Sequence, residues 1–303
     1  MSSRLRWGLC CQFLDAPIKF RTATHRHVSG LEPDAGRRYL SDVARANATA
    51  LGQAVEECAR LGIGAFRITS NLLPLATHPV GGYQLESLDD GPALVEAFAA
   101  AGRRARDLDV RLSFHPDQFI VLNSERDDTV RSAIRDLDHT AGLCDLLGAD
   151  AITIHGGGGA GGREAAVERL ERGLDRLGDR ARALVAVEND DRIFAPADLL
   201  PLCERAGVPL VYDVHHHRCH PDGLSVAEAT ERAALTWGDR EPWTHLASPR
   251  DGWEAANPRP HAAQVEPADF PDEWRGRRMT IDVEAKDKER AVLAIRDAVQ
   301  PAH

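Results

Sequence analysis

The run VYDVHHHRCH (211–220) sets three consecutive histidines, with a fourth close behind and an aspartate just ahead, at the end of an apolar stretch deep inside the chain. Other short apolar runs end the same way. His115 follows VRLSF (110–114), His155 follows AITI (151–154), Glu188 follows LVAV (184–187), Asp213 follows VPLVY (208–212) and Glu284 follows MTIDV (279–283), while His245 lies within WTHLA (243–247). Imidazoles and carboxylates are metal ligands, and buried charges need partners or metals. A mixed set without thiolate suits Zn²⁺, Mn²⁺ or Fe²⁺. The set exceeds the needs of one ion, so two or three divalent ions are expected, with Glu188 able to bridge them. Such clusters suit phosphoryl chemistry. Within the triple histidine two geometries stay open. Asp213, His215 and His217 share a face if the strand continues, whereas Asp213 and His216 converge if the chain turns off it.

These residues can meet only if the elements carrying them share one rim. Eight β-like runs alternate with longer amphipathic stretches: RWGLCCQF (6–13), GAFRI (64–68), then the six runs just given. The helical patterns between them often end in Gly, a frequent helix stop. Strand then helix, repeated over the whole length, predicts a TIM-type (β/α)8 barrel with long loops at its C-terminal face, over a single domain, 1–303. Residues 14–36 and 249–277 read as the long loops. A doubly wound open sheet is disfavoured because no Gly-rich nucleotide fingerprint follows the first strand. GGGGAGG (156–162) lacks the GK[ST] of a phosphate loop and reads as a flexible turn beside the site.

The net charge of −10 argues against a nucleic-acid partner unless bound cations reverse the charge at the site. No apolar run spans a bilayer, and the stretch in MSSRLRWGLCCQFL is too short for a signal peptide. Six cysteines without framework spacing imply reduced thiols and a cytoplasmic protein, with Cys10 and Cys11 as buried strand residues.

Taken in order, FRITSNLLPLATHP (66–79), SFHPDQF (113–119), AVEND (186–190), YDVHHH (212–217), THLAS (244–248) and VEAKDKE (283–289) make the chain resemble the UV damage endonucleases over nearly its whole length. The resemblance implies a TIM barrel with clustered divalent metals, often manganese. It implies incision of the phosphodiester 5′ to a UV photoproduct in double-stranded DNA, leaving 3′-hydroxyl and 5′-phosphate ends. It assigns His115, His155 and Glu188 to one ion; Glu188, Asp213, His245 and Glu284 to a second; and His216 and His261 to a third. It makes His78 a phosphate contact, Lys286 a catalytic lysine near the metals, and Gln118 and Phe119 the pair that probes the duplex. Neither a membrane nor a protein partner is implied.

The sequence departs from the family in places. Phe119 stands where the family usually has Tyr, Leu9 and Phe13 replace Tyr and Asn, and Trp243 occupies the place of a lysine that can be carboxylated. KFRTATHR (19–26), with Lys19 and Arg21, is either a solvated loop or a contact to the DNA backbone. The competing reading is a metal-dependent isomerase, epimerase or hydrolase of a small molecule on the same barrel. The acidic charge and the altered probing residues favour that alternative.

Overall fold

The computed structural model describes residues 5–299; Arg4 and the other first residues of MSSRLRWGLCCQFL lie outside the described residues. Eight parallel strands close into a barrel in sequence order: β1 Leu5–Cys10, β2 Ala65–Ile68, β3 Arg111–Phe114, β4 Ile152–His155, β5 Val185–Glu188, β6 Leu210–Asp213, β7 Trp243–Leu246 and β8 Met279–Val283. Pairing of β1 with β8 closes the ring, with Gly8 opposite Asp282. The expected (β/α)8 barrel is the fold.

The helices among the described residues are α1 His25–Val28, α2 Pro33–Leu61, α3 Gly91–Asp107, α4 Asp127–Leu147, α5 Arg163–Leu174, α6 Asp179–Leu184, α7 Pro196–Ala206, α8 Val214–Cys219, α9 Val226–Thr236 and α10 Lys288–Val299. Between β7 and β8 lies the predicted long loop, with short 3₁₀ turns at Pro267–Asp269 and Asp272–Trp274. Local chemistry corrects other boundaries. The first run ends at Cys10, because Cys11 takes a left-handed φ of 63° that no strand continues. Cys11 is therefore a partly exposed residue beyond the strand, while Cys10 is buried as expected. Helix α2 begins at Pro33, inside the expected loop, since proline is pre-organised for a first helical turn. Leu184 ends α6 rather than opening β5.

Alternation along each strand builds the barrel interior in layers. Ala65, Ala151, Ala186, Val211 and Trp243 pack in a small buried cluster with Trp237, separate from the main core. Each of these five stands two residues before Arg67, Thr153, Glu188, Asp213 or His245, so it forms the floor under them. Four small side chains leave the volume that Trp243 fills. Its indole Nε1 donates to Asp150 Oδ1 at 3.0 Å, and the Arg111 guanidinium lies 4.4 Å above its ring. The residue that replaces the family lysine is thus a plug of the barrel floor. Among the described residues no helix is long and apolar enough to cross a membrane.

Candidate metal centre

Glu188 ends β5 fully buried, with imidazoles on both of its oxygens. On Oε2, His115 Nε2 lies at 2.8 Å and His155 Nδ1 at 3.7 Å. On Oε1, His245 Nδ1 lies at 2.9 Å and His216 Nδ1 at 3.4 Å. Residues at the ends of β3 and β4, on β7 and on α8 thus converge on the one carboxylate that ends β5.

Asp213 resolves the geometry of the triple histidine. It caps α8: its Oδ1 accepts the His216 N–H at 2.7 Å, so the chain turns helical at Val214. Helical spacing then returns His216 to the centre, with Nδ1 3.5 Å from Asp213 Oδ2. Its neighbours serve the scaffold. His217 Nδ1 meets the Tyr212 hydroxyl at 2.7 Å, and its Nε2 meets Asp222 Oδ1 at 2.9 Å. Buried His215 donates from Nε2 to the Arg259 carbonyl at 3.0 Å.

Among the described residues, two groups offer ligand atoms that all lie within 4.8 Å of one another: His115, His155 and Glu188, and Glu188, Asp213 and His216. The first matches the expected set. The second brings His216 to Glu188 and Asp213, whereas the resemblance paired it with His261; their rings stand 6.0 Å apart. His245 Nδ1 is 3.4 Å from Glu284 Oε1, and His261 Nδ1 is 3.5 Å from Glu284 Oε2.

The donor chemistry fits cations. His115 Nδ1 faces the Pro116 carbonyl at 3.1 Å, which takes its N–H and turns the Nε2 lone pair onto Glu188. Two lone pairs at 2.8 Å call for a proton or a cation between the residues. His155 Nδ1 and Asp213 Oδ2 are buried with no hydrogen-bond partner. Burial alone would raise the Glu188 pKa, but His245 and His155, aided by His115 and His216, hold it well below the usual carboxylate range. Burial lowers His115, whereas Asp213 and Glu188 outweigh burial and raise His216.

Arg67, on β2, escaped the sequence reading. Its Nη1 lies 2.5 Å from Glu284 Oε1 and 3.9 Å from Asp282 Oδ2. Despite the cost of burial for Glu284, Arg67 and His245 hold it far below the usual carboxylate range. The available signal was a charged residue inside the apolar run GAFRI, spaced from Ala65 to face inward.

A cavity of about 620 Å³ opens over the centre, lined by His115, His155, Glu188, His216, His261 and Glu284 and edged by Gln118. Gln118 also lines a neighbouring cavity of about 520 Å³ with Phe119, whose side chain is exposed. The other predicted residues stand further out. His78 stacks on His25 at 4.1 Å, and its Nδ1 accepts the Gly81 N–H at 3.1 Å. Lys286 is exposed, with its backbone N–H on the Ala262 carbonyl. Neither lines the 620 Å³ cavity. Lys19 is exposed, and the exposed Arg21 has its guanidinium 5.6 Å from the Tyr39 ring. Leu9 is core, and Phe13 stacks on Phe66 at 5.9 Å, so the altered first-strand positions pack the scaffold.

Metal-free protein carries a pH signature. Burial pulls His245 down, but Glu188 and Glu284 raise its pKa from 6.5 to about 9. A raised imidazole stabilises the fold fully below its unfolded pKa, and that contribution is lost as pH rises through the folded value. In chelator, the denaturant midpoint is expected to fall between pH 6.5 and about 9, and His245→Gln to flatten that slope. A wild-type midpoint independent of pH across this window contradicts the assignment.

The fold and site define a (β/α)8 barrel with a His/carboxylate centre at the C-terminal ends of its strands. Residues 5–301 match the family described as UV-endonuclease UvdE, and the chain belongs to that family. It is 37% identical over 304 residues to the UV DNA damage endonuclease of Deinococcus radiodurans, covering 95% of this chain and 94% of that one. The crystal structure of SacUVDE superposes with a TM-score of 0.86 at 28% identity, covering 96% of each chain. Endonuclease IV from Thermus thermophilus shares the fold, with a TM-score of 0.61 at 20% identity over 98% of this chain and all of the other.

Proposed function

We propose that this protein is a DNA repair endonuclease that incises damaged duplex DNA at the phosphodiester 5′ to UV photoproducts, using two or three divalent ions, manganese first among them. The observation that carries the reading is the Glu188 carboxylate with four imidazoles on its two oxygens, at the mouth of a barrel of this family. Bound divalent ions supply charge neutralisation of the phosphodiester and activation of water. In this reading His115, His155, Glu188, Asp213, His216, His245, His261 and Glu284 would hold the ions, and Glu188 would serve more than one of them. His78, with Nδ1 engaged by Gly81, keeps its Nε2–H to donate to a phosphate. Lys286 serves as the catalytic lysine, and Lys19 and Arg21 supply exposed positive charge to the DNA backbone. The protein acts in the cytoplasm.

The deciding experiment incubates metal-loaded protein with UV-irradiated and undamaged duplexes and maps any nick. Incision 5′ to the lesion, leaving a 3′-hydroxyl, is the expected result. Uncut DNA together with turnover of a small keto sugar or its epimer would favour the isomerase reading instead.

Gln118 and Phe119 recognise damage in this scheme. A damaged base is already weakly stacked, so it costs less to displace, and an exposed aromatic ring can stack in its place. Phe119→Ala is expected to weaken binding to damaged duplex by ~1–3 kcal/mol, the worth of one stacked base, with metal content unchanged. Gln118→Ala lowers the preference for damaged DNA. The measurement is the ratio of binding constants for the two duplexes at one salt concentration. A ratio unmoved by both substitutions removes this pair from recognition.

A further inference from the structure

The 620 Å³ cavity is lined by the carboxylates of Glu188, Asp190, Asp191 and Glu284 and by two permanent cations, Arg192 and Arg259. A phosphodiester entering it meets four acidic residues, so the placement of the two guanidinium groups matters. They are placed differently. Arg192 has a 67% exposed side chain and a loose 3.7 Å contact from Nε to Asp191. Arg259 is held at several points. Its Nε donates to the Asp191 carbonyl at 3.1 Å and lies 3.4 Å from Asp191 Oδ2. Its own carbonyl accepts the proton of buried His215 at 3.0 Å. The loop that carries it is closed by the Pro249–His261 bridge and by the Arg250 N–H on the Pro260 carbonyl. The segment bearing Asp191 is equally fixed, since Asp190 accepts the backbone N–H groups of Arg192, Ile193 and Phe194. Among the described residues the Nη1 and Nη2 groups of Arg259 make no hydrogen bond, its one side-chain hydrogen bond being the Nε donation to the Asp191 carbonyl.

A guanidinium anchored through Nε presents its two terminal nitrogens as a fork, the geometry that binds phosphate oxygens bidentately. We propose that Arg259 is a phosphate-positioning residue, gripping a backbone phosphate of the DNA at the cavity beside the His/carboxylate centre. The inference rests on the endonuclease reading for its substrate. It also gives His215 a purpose that ligation does not. The first residue of the triple histidine, His215, latches the β7–β8 loop so that Arg259 and His261 reach the same mouth.

The test measures duplex binding by fluorescence anisotropy over a series of salt concentrations, with metal content and thermal midpoint followed in parallel. Arg259→Gln is expected to lower the slope of log Kobs against log salt by about one on damaged and undamaged duplexes alike. At fixed salt it should weaken binding roughly tenfold or more, as for a lost charged hydrogen-bond pair. Metal content and midpoint stay at wild-type values. Arg259→Lys keeps the slope, because the charge remains, but slows nicking because the fork is gone. An unchanged slope in Arg259→Gln overturns the proposal. A slope change that comes only with lost metal also overturns it, since Arg259 would then be holding the centre together. Wild-type protein that binds duplex with a normal slope yet cuts neither DNA overturns the endonuclease reading. The slope of Arg259→Gln still decides the phosphate contact in that case.

Discussion

Glu188→Gln is expected to lose most bound metal and to cut nicking by well over 10²-fold. The loss should exceed the 10–100-fold that removal of an outer partner of a metal ligand typically costs. Glutamine keeps the shape but replaces one oxygen by an NH₂ that cannot ligate. Both Glu188 oxygens are committed, Oε2 toward His115 and His155 and Oε1 toward His245 and His216. Either amide orientation therefore places a donor against imidazole nitrogens and removes the charge that holds them. Elemental analysis and the nicking rate of the reconstituted variant are the measurements. A variant with full metal content and normal turnover would take Glu188 out of the centre.

Arg67→Met is the second large effect, and it falls on stability before chemistry. The Arg67 side chain is 12% exposed, that of Glu284 15% and that of Asp282 1%. Removing one member of a buried charge pair strands the other, at a typical cost of about 3–5 kcal/mol. Asp282 is already strained for partners, with an Oδ1 that makes no hydrogen bond and a pKa raised chiefly by burial. Gly8 cannot give way either, because a Cβ there would stand 2.2 Å from that same Oδ1. Urea unfolding in chelator is expected to show the full loss, and Glu284→Gln in the same chain to recover part of it. A stability change within about 0.5 kcal/mol, ordinary for a surface substitution, would show the pair to be incidental.

Much of this was legible in the one-dimensional chain. Strand periodicity and helix stops located eight strands, and residue type marked His115, His155, Glu188, Asp213, His245 and Glu284 at or near their ends. In a parallel barrel every strand end lies on one rim, so naming the ends already names the neighbours. What the chain could not declare was which partner each side chain takes. Whether His215, His216 or His217 faces the centre depended on the helix that Asp213 caps at Val214. An Arg inside an apolar strand read as an exception until closure of β1 on β8 set Asp282 and Glu284 in reach of Arg67. Arg259 looked like one loop residue among many, because its anchors, Asp191 and His215, are 68 and 44 residues away in sequence. Residue type and local period follow from short-range sterics and burial, which a sequence carries openly. Pairing across tens of residues is decided only when the barrel closes and sets the register.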